Sequence, residues 1–309
     1  MLRNNSSFRS SLYGVAVVAW HELLDSIKSR RAIVLLLLYL AGSVAGCAIF
    51  IKVLHTVENG VEKTIGVSES KKAGATTSVV WKSEVFKQSI IHLTGDRKEL
   101  VDYLLTFPPL CLYYGWLSFT FAPFLVVMLS SSRISEEVWS GSVRFVAFRT
   151  SRLGWCFGKY AGQALQLLLA LLISAVGAWL TGYFKLANFD GYSHAAMLLM
   201  FALKAWIYCL AFLGLATGIS QLISSPNIAM ATGIIMLMVF SILSGLASHL
   251  SGDGWRKIWD IIDMLLPGGH DLDMFYTDLR HMLPAIVYLV SLSFLYVMAG
   301  YARFGRRDL

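Results

Sequence analysis

Residues 103–132 read YLLTFPPLCLYYGWLSFTFAPFLVVMLSSS, without an Asp, Glu, Lys, Arg or His, and run straight into Arg133-Ile134-Ser135-Glu136-Glu137. About 20 apolar residues cross the hydrocarbon core of a bilayer, so this stretch reads as a membrane span. It delivers the chain into a basic, amphipathic segment, 133–160, with a carboxylate pair at its head. A signal from the aqueous phase is read most naturally there.

The rest of the chain extends that reading. It is 56% hydrophobic and only 15% charged, against about 25% in soluble domains, and its mean hydropathy is +0.62. The fold class expected is therefore an all-α membrane protein. Six transmembrane helices are readable, at 32–51, 110–131, 160–184, 195–222, 228–250 and 283–302. The fourth and fifth come from one stretch, 205–248, without a charge or a histidine, which only Ser224-Ser225-Pro226-Asn227 punctuates. Those are turn residues and predict a tight bend.

Lys and Arg counts set the orientation. With both termini inside, the inner segments hold 13 cations against five acids, the outer ones 12 against 14, and Lys204 lies inside span four. The inner cations crowd the span ends, as the positive-inside rule requires, so the topology expected is N-in and C-in. The apolar run at 13–20 is too short for a signal peptide and has no cleavage site. The first residues are expected to stay.

Before span one, Leu12, Val15, Ala16, Ala19, Leu23 and Ile27 recur at helical spacing, while Glu22, Asp25 and Lys28 lie outside the stripe. This predicts an amphipathic helix over 1–31 in the cytoplasmic interface, turning sharply into span one. The domain formed by 32–309 carries two longer outer loops. Loop 53–108 is expected to be polar and mobile at first (58–78), then to form a helical cap through Trp81, Val85, Ile90, Leu93, Leu100 and Leu104. Loop 251–282 predicts a helix with Trp255, Ile258, Trp259, Ile262 and Leu265 on one face, ended by Pro267-Gly268-Gly269.

Enzyme motifs are near misses. Gly154–Lys159 has one residue too few for a P-loop and Tyr160 where Ser or Thr must reach magnesium; His21–Asp25 lacks the second histidine of HExxH. No catalytic or cofactor site is expected. Cys47, Cys111, Cys156 and Cys209 have no metal-ligand spacing and read as buried thiols. His270, Asp271, Asp273 and His281, with Asp278, are of metal-ligating types, though in no named spacing. Lys204 is the one clear intramembrane charge, which either serves function or snorkels. Gly42/Gly46, Gly158/Gly162 and Gly214/Gly218 are GxxxG pairs, and Gly42 with Gly46 is the pair expected to pack two copies of the chain together. In 133–160, Ile134, Val138, Gly141, Phe145 and Phe148 fall on one helical face and Glu136, Glu137, Arg144, Arg149 and Arg152 on another.

The stretch Ile134-Ser135-Glu136-Glu137-Val138-Trp139-Ser140-Gly141-Ser142-Val143, then Thr150-Ser151-Arg152, Gly158-Lys159 and the terminal Phe304-Gly305-Arg306-Arg307-Asp308-Leu309, resembles the pattern of ABC-2 type permeases, the membrane subunits of a class of ATP-binding-cassette transporters. Arg149 stands where many members carry proline. The long first outer loop is similar to that of the subgroup serving nitrous-oxide reductase maturation and gliding. The resemblance implies that 1–31 is an elbow helix and that 134–148 is a coupling helix docking on a cytoplasmic ATPase. It assigns that coupling to Glu136, Glu137, Gly141, Arg144, Phe145 and Arg152. It also implies a second permease subunit, a homo- or heterodimer in the inner membrane, and ATP and Mg bound by the partner ATPase alone.

The function expected is export of a substrate, powered by that ATPase. One alternative is mechanical transmission of ATP-driven motion to an outer, periplasmic partner with no substrate passing. Another is an ATP-independent membrane scaffold or enzyme, weakened by the absence of a catalytic pair in the spans. Membrane lipid is an expected partner and nucleic acid is not.

Overall fold

The computed structural model describes residues 3–65, 87, 98–143, 151–249, 261–262, 264–276 and 278–306. Nine helices form: α1 (Arg3–Lys28), α2 (Arg30–Ile65), α3 (Lys98–Leu104), α4 (Pro109–Ser130), α5 (Arg133–Ser140), α6 (Arg152–Lys185), α7 (Gly191–Leu222), α8 (Pro226–His249) and α9 (Leu279–Phe304), among the described residues. Two short 3₁₀ turns, Pro267–His270 and Leu272–Phe275, precede α9. Six helices (α2, α4, α6, α7, α8 and α9) are long and apolar enough to span a bilayer. The chain is a multi-pass membrane protein.

Local chemistry sets the helix ends. Ser151 accepts from the Gly154 amide at 3.0 Å to cap α6, and Asp190 and Asp278 do the same for α7 and α9 at 3.2 Å. Such caps satisfy amides that have no partner inside the helix. The expected bend separates α7 from α8, with Pro226 opening the second helix, and Pro267 likewise opens the first 3₁₀ turn.

The first span differs from expectation. α2 runs 36 residues, well past residue 51, because no Pro occurs between Arg30 and Ile65 and the helix tolerates Gly60. Its polar continuation is helical too: Thr56 bonds back to the Lys52 carbonyl at 3.0 Å and Asn59 pairs with His55 at 2.9 Å. Residues 58–65, expected to be mobile, are therefore helix. Trp81, Val85, Ile90, Leu93, Trp255, Ile258 and Trp259 lie outside the described residues. Leu100 and Leu104 of the expected cap are buried, whereas Leu265 is exposed.

α7 is the hub of the bundle. Sixty-one per cent of its apolar window is buried, and 67% of α4's, against 11% for α2 and 17% for α8. Without water to drive helices together, close backbone approach and interhelical hydrogen bonds carry the packing. Both occur here. A Cβ on Gly214 would lie 2.4 Å from the Ser293 carbonyl, and one on Gly218 would lie 2.5 Å from that of Tyr296, so α9 crosses α7 almost backbone on backbone. Ser293 then donates to the Leu210 carbonyl at 2.6 Å and meets Tyr160 of α6 at 2.7 Å. Deeper in, Tyr114 donates to the Leu171 carbonyl at 2.9 Å, and Trp206 donates to Ala164 at 2.8 Å. Aromatic contacts bring Phe107, Phe119 and Phe275 round the middle of α7 at Phe201 and Tyr208.

Gly46 is filled from within the chain: a Cβ there would meet Leu117 at 2.8 Å, whereas one on Gly42 meets nothing within 4 Å. This contrast gives a paired test. Gly214→Leu has no route but backbone displacement and should cost at least ~2 kcal/mol, read as a fall in the thermal unfolding midpoint in detergent. Gly42→Ala should be neutral or slightly stabilising, since alanine favours a helix by up to ~1 kcal/mol.

Candidate functional site

At the end of the bundle where the flanking cations gather, called here the basic end, α5 follows α4 directly. It is an eight-residue helix without a side-chain cap of its own. Ser220 of α7 supplies one, its Oγ accepting from the Ile134 and Ser135 amides, both at 3.0 Å. The next α5 residues are fixed sideways. Glu136 accepts from Ser132 at 2.8 Å and pairs with Arg31 of α2 at 3.2 Å. Ile134 is fully buried with Val143, Trp155, Cys156 and Phe304, where Trp155 stacks on Phe304 with ring centres 5.7 Å apart.

The strongest link is charged. Lys159 of α6 donates to Glu22 of α1 and to Glu137 of α5 at once. The ammonium and Glu22 are almost wholly buried, and Glu137 is mostly so. One cation thus holds two carboxylates from two different helices. An isolated buried charge costs several kcal/mol, and the loss of one partner of a buried pair costs about 3–5 kcal/mol. Glycine makes the arrangement possible. A Cβ on Gly162 would sit 2.7 Å from the Ala19 carbonyl, and one on Gly158 would sit 2.5 Å from the Val18 Cβ. This second GxxxG pair presses α1 against α6, which puts Glu22 beside Lys159.

Two expectations need correction. Glu22 lies off the apolar stripe but is 3% exposed, because its buried partner comes from a helix 137 residues away. The stripe itself is only partly honoured: Ala19 and Leu23 are buried while Ala16 is exposed. A single helix over 134–148 does not form either. Gly141 adopts φ 72°, a left-handed conformation that suits glycine, and ends α5 at Ser140. Arg144, Phe145, Phe148 and Arg149 lie outside the described residues. Arg152 donates to the Gly305 carbonyl at 3.1 Å, tying α6 to the end of α9.

Glu136 and Glu137 thus face their own chain. The outward surface of α5 is carried by Trp139, 72% exposed. Sequence reasoning missed Lys159, Ser220 and Arg31 as members of this cluster. The signal for Lys159 was its place inside the Gly158/Gly162 pair; nothing local marks Ser220.

The other candidate residues lie elsewhere. Lys204 donates to the Tyr276 carbonyl at 2.8 Å and lies over the Phe201 ring, so it reaches from span four to the loop before α9. His270 stands 3.6 Å from Asp273 and donates through Nε2 to the Met264 carbonyl, 3.0 Å away. Asp271 receives the Leu272 amide, and His281 stacks on Tyr276. Among the described residues no group of three His, Cys, Asp or Glu is arranged to hold a metal. All four cysteines are buried free thiols.

The buried and exposed ion pairs should respond differently. Lys159→Met strands two carboxylates and should cost about 3–5 kcal/mol, seen as loss of folded protein in fluorescence-detected gel filtration. Glu136→Gln breaks a pair whose side chains are 45% and 42% exposed, and should change stability by no more than ~1 kcal/mol.

The model of the ABC-2 family of transporter proteins matches residues 16–309. No curated protein matches the sequence.

Proposed function

The chain belongs to the ABC-2 transporter family and is a permease subunit of an ABC transporter, and from that premise we propose that α5 is its coupling element. The basic end then faces the cytoplasm of a cell whose inner membrane holds the protein, and α1 is the elbow helix. A separate ATPase, which binds ATP and Mg, docks on the outward face of α5 round Trp139. Arg144, Phe145 and Arg152 extend that docking segment. Two permease subunits, identical or different, complete the assembly, and the substrate moves outward. The chain itself contributes no catalysis.

The observation that supports this reading is the division of labour on α5. Its inner side is fastened to α1, α2, α6 and α7 through Lys159, Arg31 and Ser220. Its outer side presents a large unsheltered indole. A pull on α5 must move all four helices together. Glu136 and Glu137 serve as positioning residues within the permease, not as groups that touch the ATPase.

One observation favours the alternative of mechanical transmission to an outer partner. A 36-residue helix is ~54 Å long, against a hydrocarbon core of ~30 Å, so α2 stands well proud of the membrane on the far side. Co-purification from native membranes in mild detergent separates the readings. A stoichiometric ATPase inhibited by vanadate supports the transporter; a further outer protein in the same eluate favours transmission. If no ATPase appears in several detergents, the coupling proposal fails.

The roles on α5 can be split by mutation. Trp139→Arg should cut ATPase recovery by about tenfold, the loss that removing one large apolar anchor brings, with the permease still folded. Glu137→Gln should leave ATPase recovery intact and lower the turnover that the permease stimulates.

A further inference from the structure

A groove of about 280 Å³ runs between α2 and α4, away from the tie at the basic end. Leu35, Leu38 and Gly42 line one wall, and Leu117, Phe121 and Met128 line the other. Its walls face outward, with Leu38 and Phe121 more than half exposed. Gly42 leaves open space over its Cα, and this depression belongs to the membrane-embedded surface.

What singles the groove out is its mouth. Residues 31, 35, 38 and 42 recur at helical spacing along α2, as do 117, 121, 124, 128 and 132 from α4 onward. Both rows end in a polar notch formed by Ser29, Arg31, Leu129, Ser132, Arg133 and Glu136. There Arg31 is committed to Ser132 and Glu136. Arg133 has no hydrogen-bond or ionic partner among the described residues, which leaves the notch one positive charge in excess. From Arg31 to Ser43 the helix rises ~18 Å, close to the ~15 Å depth of one hydrocarbon leaflet.

The geometry points to an anionic phospholipid bound at this place, its phosphate at Arg133 and the notch and one acyl chain laid along the groove to Gly42. Charge and shape argue together. Arg133 requires an anion at headgroup level, and directly above it lies an apolar channel one leaflet deep. A second copy of the chain would answer only half of this, because three of the five acids of the inner segments, Glu22, Glu136 and Glu137, are already paired within the chain. Basic pockets between helices at the cytoplasmic surface bind acidic lipid headgroups on this principle. The site is distinct from the ATPase-facing surface of α5 and does not depend on the direction of transport.

Photolabelling of the full chain, with its co-purifying partners, in lipid nanodiscs tests the assignment. The probes are phosphatidylglycerol and phosphatidylcholine, each with a diazirine midway along one acyl chain. Peptides from α2 and α4 should be labelled about fivefold more by the anionic probe, and Arg133→Gln should abolish that preference. Gly42→Phe should cut labelling of those peptides about fivefold for either headgroup by filling the groove, while labelling of α9 stays unchanged. Equal labelling by both probes in the unaltered protein would overturn the proposal, as would labelling indifferent to Gly42→Phe. Disulfide-linked pairs formed in membranes by Gly42→Cys would give the groove to a second copy instead. Arg133→Gln alters a surface side chain, so the headgroup preference stays measurable should Gly42→Phe fold poorly.

Discussion

One buried ammonium ion organises the working end of this protein. Among the described residues, Lys159 is the only basic group that Glu22 and Glu137 share, and neither carboxylate can leave without stranding charge in a poorly solvated place. Helix α1 would otherwise be free to lie on the membrane surface, and α5 is too short to hold its own shape. Both become parts of one body because each contributes an acid to the same lysine. The glycines at 158 and 162, the stacking of Trp155 on Phe304 and the Ser220 cap all support this contact.

The architecture was legible in the sequence where the physics is local. A charge-free run long enough to cross a bilayer announces a span, and Pro226 announces the bend between α7 and α8. Amphipathic spacing announced α1. What escaped was the fate of polar residues. A helical stripe tells which side is apolar, but not whether a polar residue beside the stripe meets a buried partner. Glu22, off the stripe, carries no such mark in the sequence. Lys159 could be read only once the GxxxG pair around it was known to press on α1.

The end of α2 escaped for a different reason. Span length was read from apolar content, and Lys52, His55 and Glu58 stop the apolar run without stopping the helix. Backbone hydrogen bonds continue where no Pro interrupts them, and a lone glycine such as Gly60 weakens a helix without having to end it. The coupling segment shows the converse error. Apolar spacing suggested one helix through 134–148, yet Gly141 in a left-handed conformation ends it. The inward aim of Glu136 and Glu137 follows from that short helix and from its borrowed cap, neither of which a linear pattern contains.

The length of α2 has a geometrical consequence. Leu117 and Tyr113 grip the helix at Gly46, roughly midway between Arg31 and Ile65, so that contact can act as a fulcrum. The arm from Gly46 to Ile65 is ~29 Å long at 1.5 Å per residue. A tilt of ~10° imposed through Arg31 would swing its tip by ~5 Å, on the order of one helical turn. A small stroke at the basic end would thus arrive, enlarged and reversed in sense, on the opposite side of the membrane.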